Sequence, residues 1–128
     1  MKLIKEIFKK IYRYMNDFSN RGFTFREVDE IPIKSFEISI MWVDKVQWSG
    51  LAKDNIIRCY RDGFSFWRGH EEDLKEWFCK YENVIGFHQP LGLKLASPIV
   101  KIRAGDGTID CMLGQATDYI KQYIGEMK

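Results

Sequence analysis

Apolar residues recur every three or four positions at the start of the chain, in MKLIKEIFKKIYRYMNDF. Ile4, Ile7, Phe8, Ile11, Met15 and Phe18 share one helical face, while Lys2, Lys5, Lys9, Lys10 and Arg13 fall largely elsewhere. The pattern predicts a basic amphipathic helix ending near SNRG, with its apolar stripe packed on a core or laid against a membrane surface or an acidic partner. Tyr12 and Tyr14 lie off the stripe.

The period then shortens to two. FTFREV and FEISIMWV have strand composition, and Phe36, Ile38, Ile40 and Trp42 alternate with Glu37, Ser39, Met41 and Val43, so the first set is expected to face the core. Pro32, between the two runs, lacks the N–H a ladder needs and marks a loop or an edge. NIIRCYRDGFSFW reads as a hairpin turning at Asp62-Gly63, with Cys59 opposite Phe66 and Arg58 opposite Trp67. PIVKIRAGDGTIDCML reads as a second, turning at Asp106-Gly107, with Ile102 opposite Cys111 and Arg103 opposite Asp110. Gly105 allows a bulged variant of that turn.

Between the hairpins, Leu74, Trp77, Phe78 and Tyr81 have the i, i+3, i+4, i+7 spacing of a buried helical stripe, and Glu71, Glu72 and Asp73 place negative charge at its start. GQATDYIKQYIGEMK carries a further stripe of Ala116, Ile120, Tyr123, Ile124 and Met127. The expected fold is a single α+β domain over residues 1–128. It holds a largely antiparallel sheet of two hairpins plus additional strands, with an N-terminal, a central and a C-terminal helix.

At 128 residues such a domain removes roughly two thirds of its unfolded surface from water without disulfides or metals. Aromatic residues make up 15% of the chain, so a bulky core or an aromatic surface has to be accommodated. The net charge of +2 gives no strong overall field, and any nucleic-acid or membrane role must come from local clustering. Cys59, Cys79 and Cys111 lie in apolar patterns without paired spacing, which implies reduced thiols and, with no apolar run long enough for a membrane span, a cytoplasmic protein.

Candidate chemistry is sparse. His70-Glu71 in GHEEDL opens the helical zinc motif H-E-x-x-H, but Leu74 stands where the second ligand belongs, so the acids are assigned to the helix start. Asp62 with Asp73 and Lys75 could suggest a magnesium nuclease, yet Asp62 is assigned to turn chemistry. His88, in GFHQP, has no nameable serine or cysteine partner, and a structural hydrogen bond is the simpler role. The glycines of AGDGTIDCMLG match neither a P-loop nor a dinucleotide fingerprint. No catalytic residue, metal or cofactor is therefore assigned.

The feature that turn and core chemistry do not absorb is the outward face of the first hairpin. Arg58, Tyr60 and Trp67 cluster there, with Arg61 and Arg68 near its ends. Arginine with aromatics is favoured at protein interfaces, and also where bases stack beside a neutralised phosphate backbone. The chain therefore reads as a small non-catalytic protein-binding module of adaptor, immunity or inhibitor type. A nucleic-acid-binding regulator is the alternative, and an enzyme with a site near His70 and His88 comes third.

Overall fold

The structure, a computed structural model, describes residues 3, 4, 7, 21–27, 29–44, 46–49, 55–67, 75–89 and 98–127; for 46–49, 67, 75 and 127 it gives the backbone alone. Among the described residues ten strands are arranged in two antiparallel sheets: β1 (Thr24–Glu27), β2 (Lys34–Glu37), β3 (Ile40–Val43), β4 (Val46–Ser49), β5 (Ile56–Cys59), β6 (Gly63–Trp67), β7 (Lys75–Lys80), β8 (Val84–His88), β9 (Ile99–Ala104) and β10 (Gly107–Met112). Sheet A has the order β1-β7-β6-β5-β2 and sheet B the order β4-β3-β10-β9-β8. A helix, α1 (Gln115–Met127), follows the last strand.

The expected three-helix α+β domain is thereby corrected to a mostly β domain with a C-terminal helix. The central helix does not form among the described residues: Trp77 and Phe78 of its expected stripe lie in strand β7 and Tyr81 in a 3₁₀ turn, Tyr81–Asn83, while Leu74 lies outside the described residues. Trp77, Phe78 and Tyr81 satisfy a helical period, but KEWFCK also alternates, with Trp77 and Cys79 on one side and Glu76 and Phe78 on the other. β7 pairs with β1 on one flank and β6 on the other, so both its edges are hydrogen-bonded and tertiary pairing overrides the local pattern. The GHEEDL helix start lies outside the described residues. So does most of the expected N-terminal helix, of which Leu3, Ile4 and Ile7 are described as helical and exposed.

One core is shared between the sheets. Ile57, Cys59, Phe64, Phe66 and Cys79 contribute from sheet A, Met41, Val43, Val100, Ile102 and Cys111 from sheet B, and Ala116 and Ile120 from α1. Full burial of side chains of this size contributes roughly 2 kcal/mol each. Phe23 meets Phe64 and Phe66 edge-on at 6.0 and 5.2 Å, and Tyr119 packs on Phe36 at 5.7 Å, so part of the aromatic content joins the helix to sheet A.

FEISIMWV departs from the expected single strand. The chain leaves sheet A after Glu37 and enters sheet B at Ile40, and the bend at Ser39 shifts the alternation by one residue. Phe36 and Ile38 still pack inward, but beyond the bend Met41 and Val43 are buried while Ile40 is half exposed. Passing between facing sheets requires this switch, because the inward side of the second sheet is reached from the opposite direction.

Both hairpins form, each with its turn one residue earlier than expected. Cys59 pairs with Phe64 and Arg58 with Ser65, and Ile102 pairs with Ile109 and Val100 with Cys111. Each turn shift changes the pairing by two residues, so every side chain keeps its expected face. The cause differs at the two turns. Gly63 is drawn into β6 because a Cβ there would lie 2.3 Å from the Cys79 carbonyl oxygen and 2.7 Å from Phe78, so the glycine serves close strand approach and Arg61-Asp62 makes the turn. In the second hairpin Gly105 has φ +60° and takes the first central position, as a II′ turn demands.

The shifted turns set an order of glycine sensitivity that urea unfolding can read. Gly63→Ala should cost about 2–3 kcal/mol through overpacking. Gly105→Ala should cost about 1 kcal/mol through its left-handed φ, whereas Gly107→Ala, with open space around its Cβ, should change stability by less than about 0.5 kcal/mol. Greater sensitivity at Gly107 than at Gly105 would place the turn at Asp106-Gly107 instead.

Candidate functional site

Alternation along four strands builds the side of sheet A that points away from the core. Arg58 of β5 lies opposite Ser65 of β6, Ser65 opposite Phe78 of β7, and Phe78 opposite Thr24 of β1. Glu76 and Arg26, two residues along their strands, share this side and are themselves paired in register.

Glu76 is 3% exposed although its side of the sheet is opposite the apolar core. Its carboxylate accepts from the Arg58 Nη1 at 2.9 Å and the Ser65 hydroxyl at 3.0 Å on Oε1, and from the Tyr60 hydroxyl at 2.9 Å on Oε2. A buried carboxylate is costly unless paired and hydrogen-bonded, and here one cation and two hydroxyls meet that requirement. Burial first, and donation to Glu76 second, push the Tyr60 phenol up to about 12.

Phe78 separates this network from solvent-facing chemistry. Its ring is 6.1 Å from that of Tyr60, while the Arg26 guanidinium carbon stands 4.1 Å from its centroid. Arg26 thus leaves its register partner Glu76 to Arg58 and lies over an aromatic face. Beside it opens a cleft of about 400 Å³ walled by Gly22 and Thr24 on one side and by Lys80, Glu82 and Asn83 on the other. Arg26, Lys80 and Glu82 are exposed, and among the described residues none of the three makes an ion pair. The cleft therefore presents two cations, one carboxylate and an amide, with the buried Phe78 ring, 4% exposed, beneath Arg26.

The sequence-assigned surface residues are distributed differently. Arg58 and Tyr60 do come together, but on Glu76, and Tyr60 is 2% exposed. Arg61 is exposed at the turn, where its carbonyl accepts from the Tyr123 hydroxyl of α1 at 3.0 Å. Trp67 pairs through its backbone with Ile56, its side chain lying outside the described residues, as does Arg68. Sequence reasoning missed Glu76, Arg26, Phe78 and Lys80. The available signal was a glutamate within an apolar run flanked by lysines, which becomes informative once KEWFCK is read as a strand.

Two other candidates can be placed. His88 ends β8 rather than occupying a loop, and its Nε2 lies 3.3 Å from Asp110 Oδ1, both side chains being more than one third exposed. His70 lies outside the described residues, so the pairing of the two histidines is not described. Among the described residues no three histidine, cysteine, aspartate or glutamate side chains gather as a metal site. Burial pushes the Cys59 and Cys79 thiols up to about 12 and that of Cys111 upward as well, which keeps all three protonated and poorly nucleophilic at neutral pH. No family model, curated protein or solved structure matches this chain.

The Glu76 network yields a stability and pH prediction. Arg58→Met leaves a buried carboxylate without that cation and should cost about 3 kcal/mol, and Tyr60→Phe about 1.5 kcal/mol. Because the folded-state phenol is raised above its unfolded value near 10, the Tyr60 contribution is intact below about pH 10 and is lost as pH rises towards about 12. Urea midpoints followed across that range should fall less steeply for Tyr60→Phe than for the parent chain. Equal slopes would remove Tyr60 from the alkaline transition.

Proposed function

We propose that this chain is a small non-catalytic binding module whose partner is another protein, and that the partner docks on the exposed side of sheet A around Arg26, Phe78 and Lys80. The observation that carries this reading is the Arg26 guanidinium held 4.1 Å over Phe78 at the mouth of an open cleft. An arginine lying on an aromatic ring offers a flat contact area with limited loss of side-chain freedom, and arginine is enriched among the residues that dominate binding energy. Two cations against one carboxylate favour an acidic segment on the partner, whose side chains would exchange water for Arg26 and Lys80 while Glu82 and Asn83 fix its register.

Arg58 and Tyr60 support the surface from beneath, through Glu76, rather than touching the partner. Arg61, of the contact region proposed from the sequence, is exposed at the hairpin turn, while the Trp67 side chain and Arg68 lie outside the described residues. An adaptor, immunity or inhibitor role in the cytoplasm fits such a module. No described helix is long and apolar enough to cross a membrane.

The test is affinity capture from the native cell lysate, with and without nuclease, comparing the parent chain with the double variant Arg26→Glu, Lys80→Glu. Both side chains are exposed, so folding should survive. Recovery of a specific protein should drop about tenfold or more in the variant, consistent with the loss of a dominant contact. Unchanged recovery would sink the cleft as the docking site, and a signal abolished by nuclease would transfer the assignment to a nucleic-acid-binding regulator.

A further inference from the structure

Arg26 is paired in register with Glu76, but both oxygens of that carboxylate are engaged by Arg58, Ser65 and Tyr60. The Arg26 guanidinium lies over Phe78 instead, and an aromatic face supplies no acceptor in the plane of the N–H fork. Arg26 is exposed, so an incoming oxyanion can meet two of those donors at once. Around it the cleft holds Lys80 as a second cation and Glu82 as an opposing charge, with the Asn83 amide and the Thr24 hydroxyl as neutral partners. Two cations against one carboxylate leave a single positive charge for an occupant to neutralise.

We infer that the cleft selects a singly charged carboxylate, the side chain of an aspartate or glutamate in the docking segment, over a phosphoryl group, and that Glu82 makes the selection. The inference rests on the docking reading for its occupant, a protein segment. A carboxylate brings the one negative charge that the cleft lacks, and its two coplanar oxygens match the Arg26 fork. A phosphate monoester carries about −1.5 to −2 at neutral pH and would set excess negative charge beside Glu82. Glu82 repels both anions, but the dianion roughly twice as strongly as the carboxylate. Lys80 adds charge without a fixed geometry, so it strengthens either anion and discriminates less.

The experiment follows the Arg26 Nε–H and the backbone amides of Thr24, Lys80 and Asn83 by NMR in the isotope-labelled full chain, at neutral pH and low salt. Three tripeptides with blocked ends are titrated: Gly-Glu-Gly, Gly-Gln-Gly and Gly-phosphoserine-Gly. The glutamate peptide should shift these signals saturably at millimolar concentration and the glutamine peptide should not, while the phosphoserine peptide should bind about threefold or more weakly than glutamate. Glu82→Gln should improve the phosphoserine peptide about threefold or more relative to the glutamate peptide. Arg26→Lys, which keeps the charge and removes the fork, should weaken the glutamate peptide about fivefold or more. Both positions are exposed, so both variants should fold. Tighter binding of phosphoserine by the parent chain would overturn the inference, as would a Glu82→Gln variant with unaltered preference or no saturable shift with the glutamate peptide. Lysate capture reports separately whether a protein docks here. Carboxylate binding with capture indifferent to Arg26→Glu, Lys80→Glu would keep the anion preference and overturn the protein occupant; cleft-dependent capture without that preference would overturn this inference alone.

Discussion

A single carboxylate on the far side of sheet A from the apolar core organises three strands. Glu76 of β7 reaches across β6 to Arg58 of β5, takes the Ser65 hydroxyl on the way, and holds the Tyr60 hydroxyl where the hairpin begins to turn. Backbone ladders alone tolerate slippage by two residues, since such a slip preserves which face each side chain occupies. The Glu76 bonds do not, because moving β5 by two residues would take Arg58 away from the carboxylate. The polar side of the sheet thus fixes register, while the apolar side supplies most of the burial.

The shared core imposes a second constraint on the connections. Each sheet has one side turned to the other, and any segment passing between them must present its apolar residues inward twice, from opposite directions. The bend at Ser39 achieves this, and Asn55, whose backbone carbonyl accepts from Ile38, anchors the departure point beneath it. At the other end of the sandwich the Tyr81 hydroxyl donates to the Tyr60 carbonyl at 2.8 Å, and the Tyr123 hydroxyl to that of Arg61 at 3.0 Å. The first hairpin's turn is therefore held by the residue following β7 and by α1 together.

Much of this was legible from local pattern. The C-terminal stripe gave the helix, and alternation about two Asp-Gly pairs gave both hairpins with correct faces. What escaped was everything decided by a neighbour distant in sequence. Gly63 fits a turn glycine by local pattern, but the Cys79 carbonyl of the neighbouring strand lies against it. Trp77 and Phe78 fit a helical period, but β1 and β6 pair on either side of the strand that holds them, and Tyr81 follows it in a 3₁₀ turn. The arginine–aromatic cluster was recognised by composition, but the burial of Tyr60 and the engagement of Arg58 depend on Glu76, whose place in sheet A no local window reveals.

Pro32 acquires a different meaning from the finished topology. It stands between Ile31 and Ile33, which are 90 and 56% exposed, at the approach to β2, the last strand of sheet A in the described order. Two exposed aliphatic residues beside a strand with no further neighbour among the described residues would invite a second chain to add its own strand there. A ring with no N–H to offer interrupts that template at its most apolar point, and Lys34, the first residue of the strand, adds a charge that copies of the chain would have to bring together. The same short stretch that ends the described order of sheet A is therefore poorly suited to pairing with a further strand.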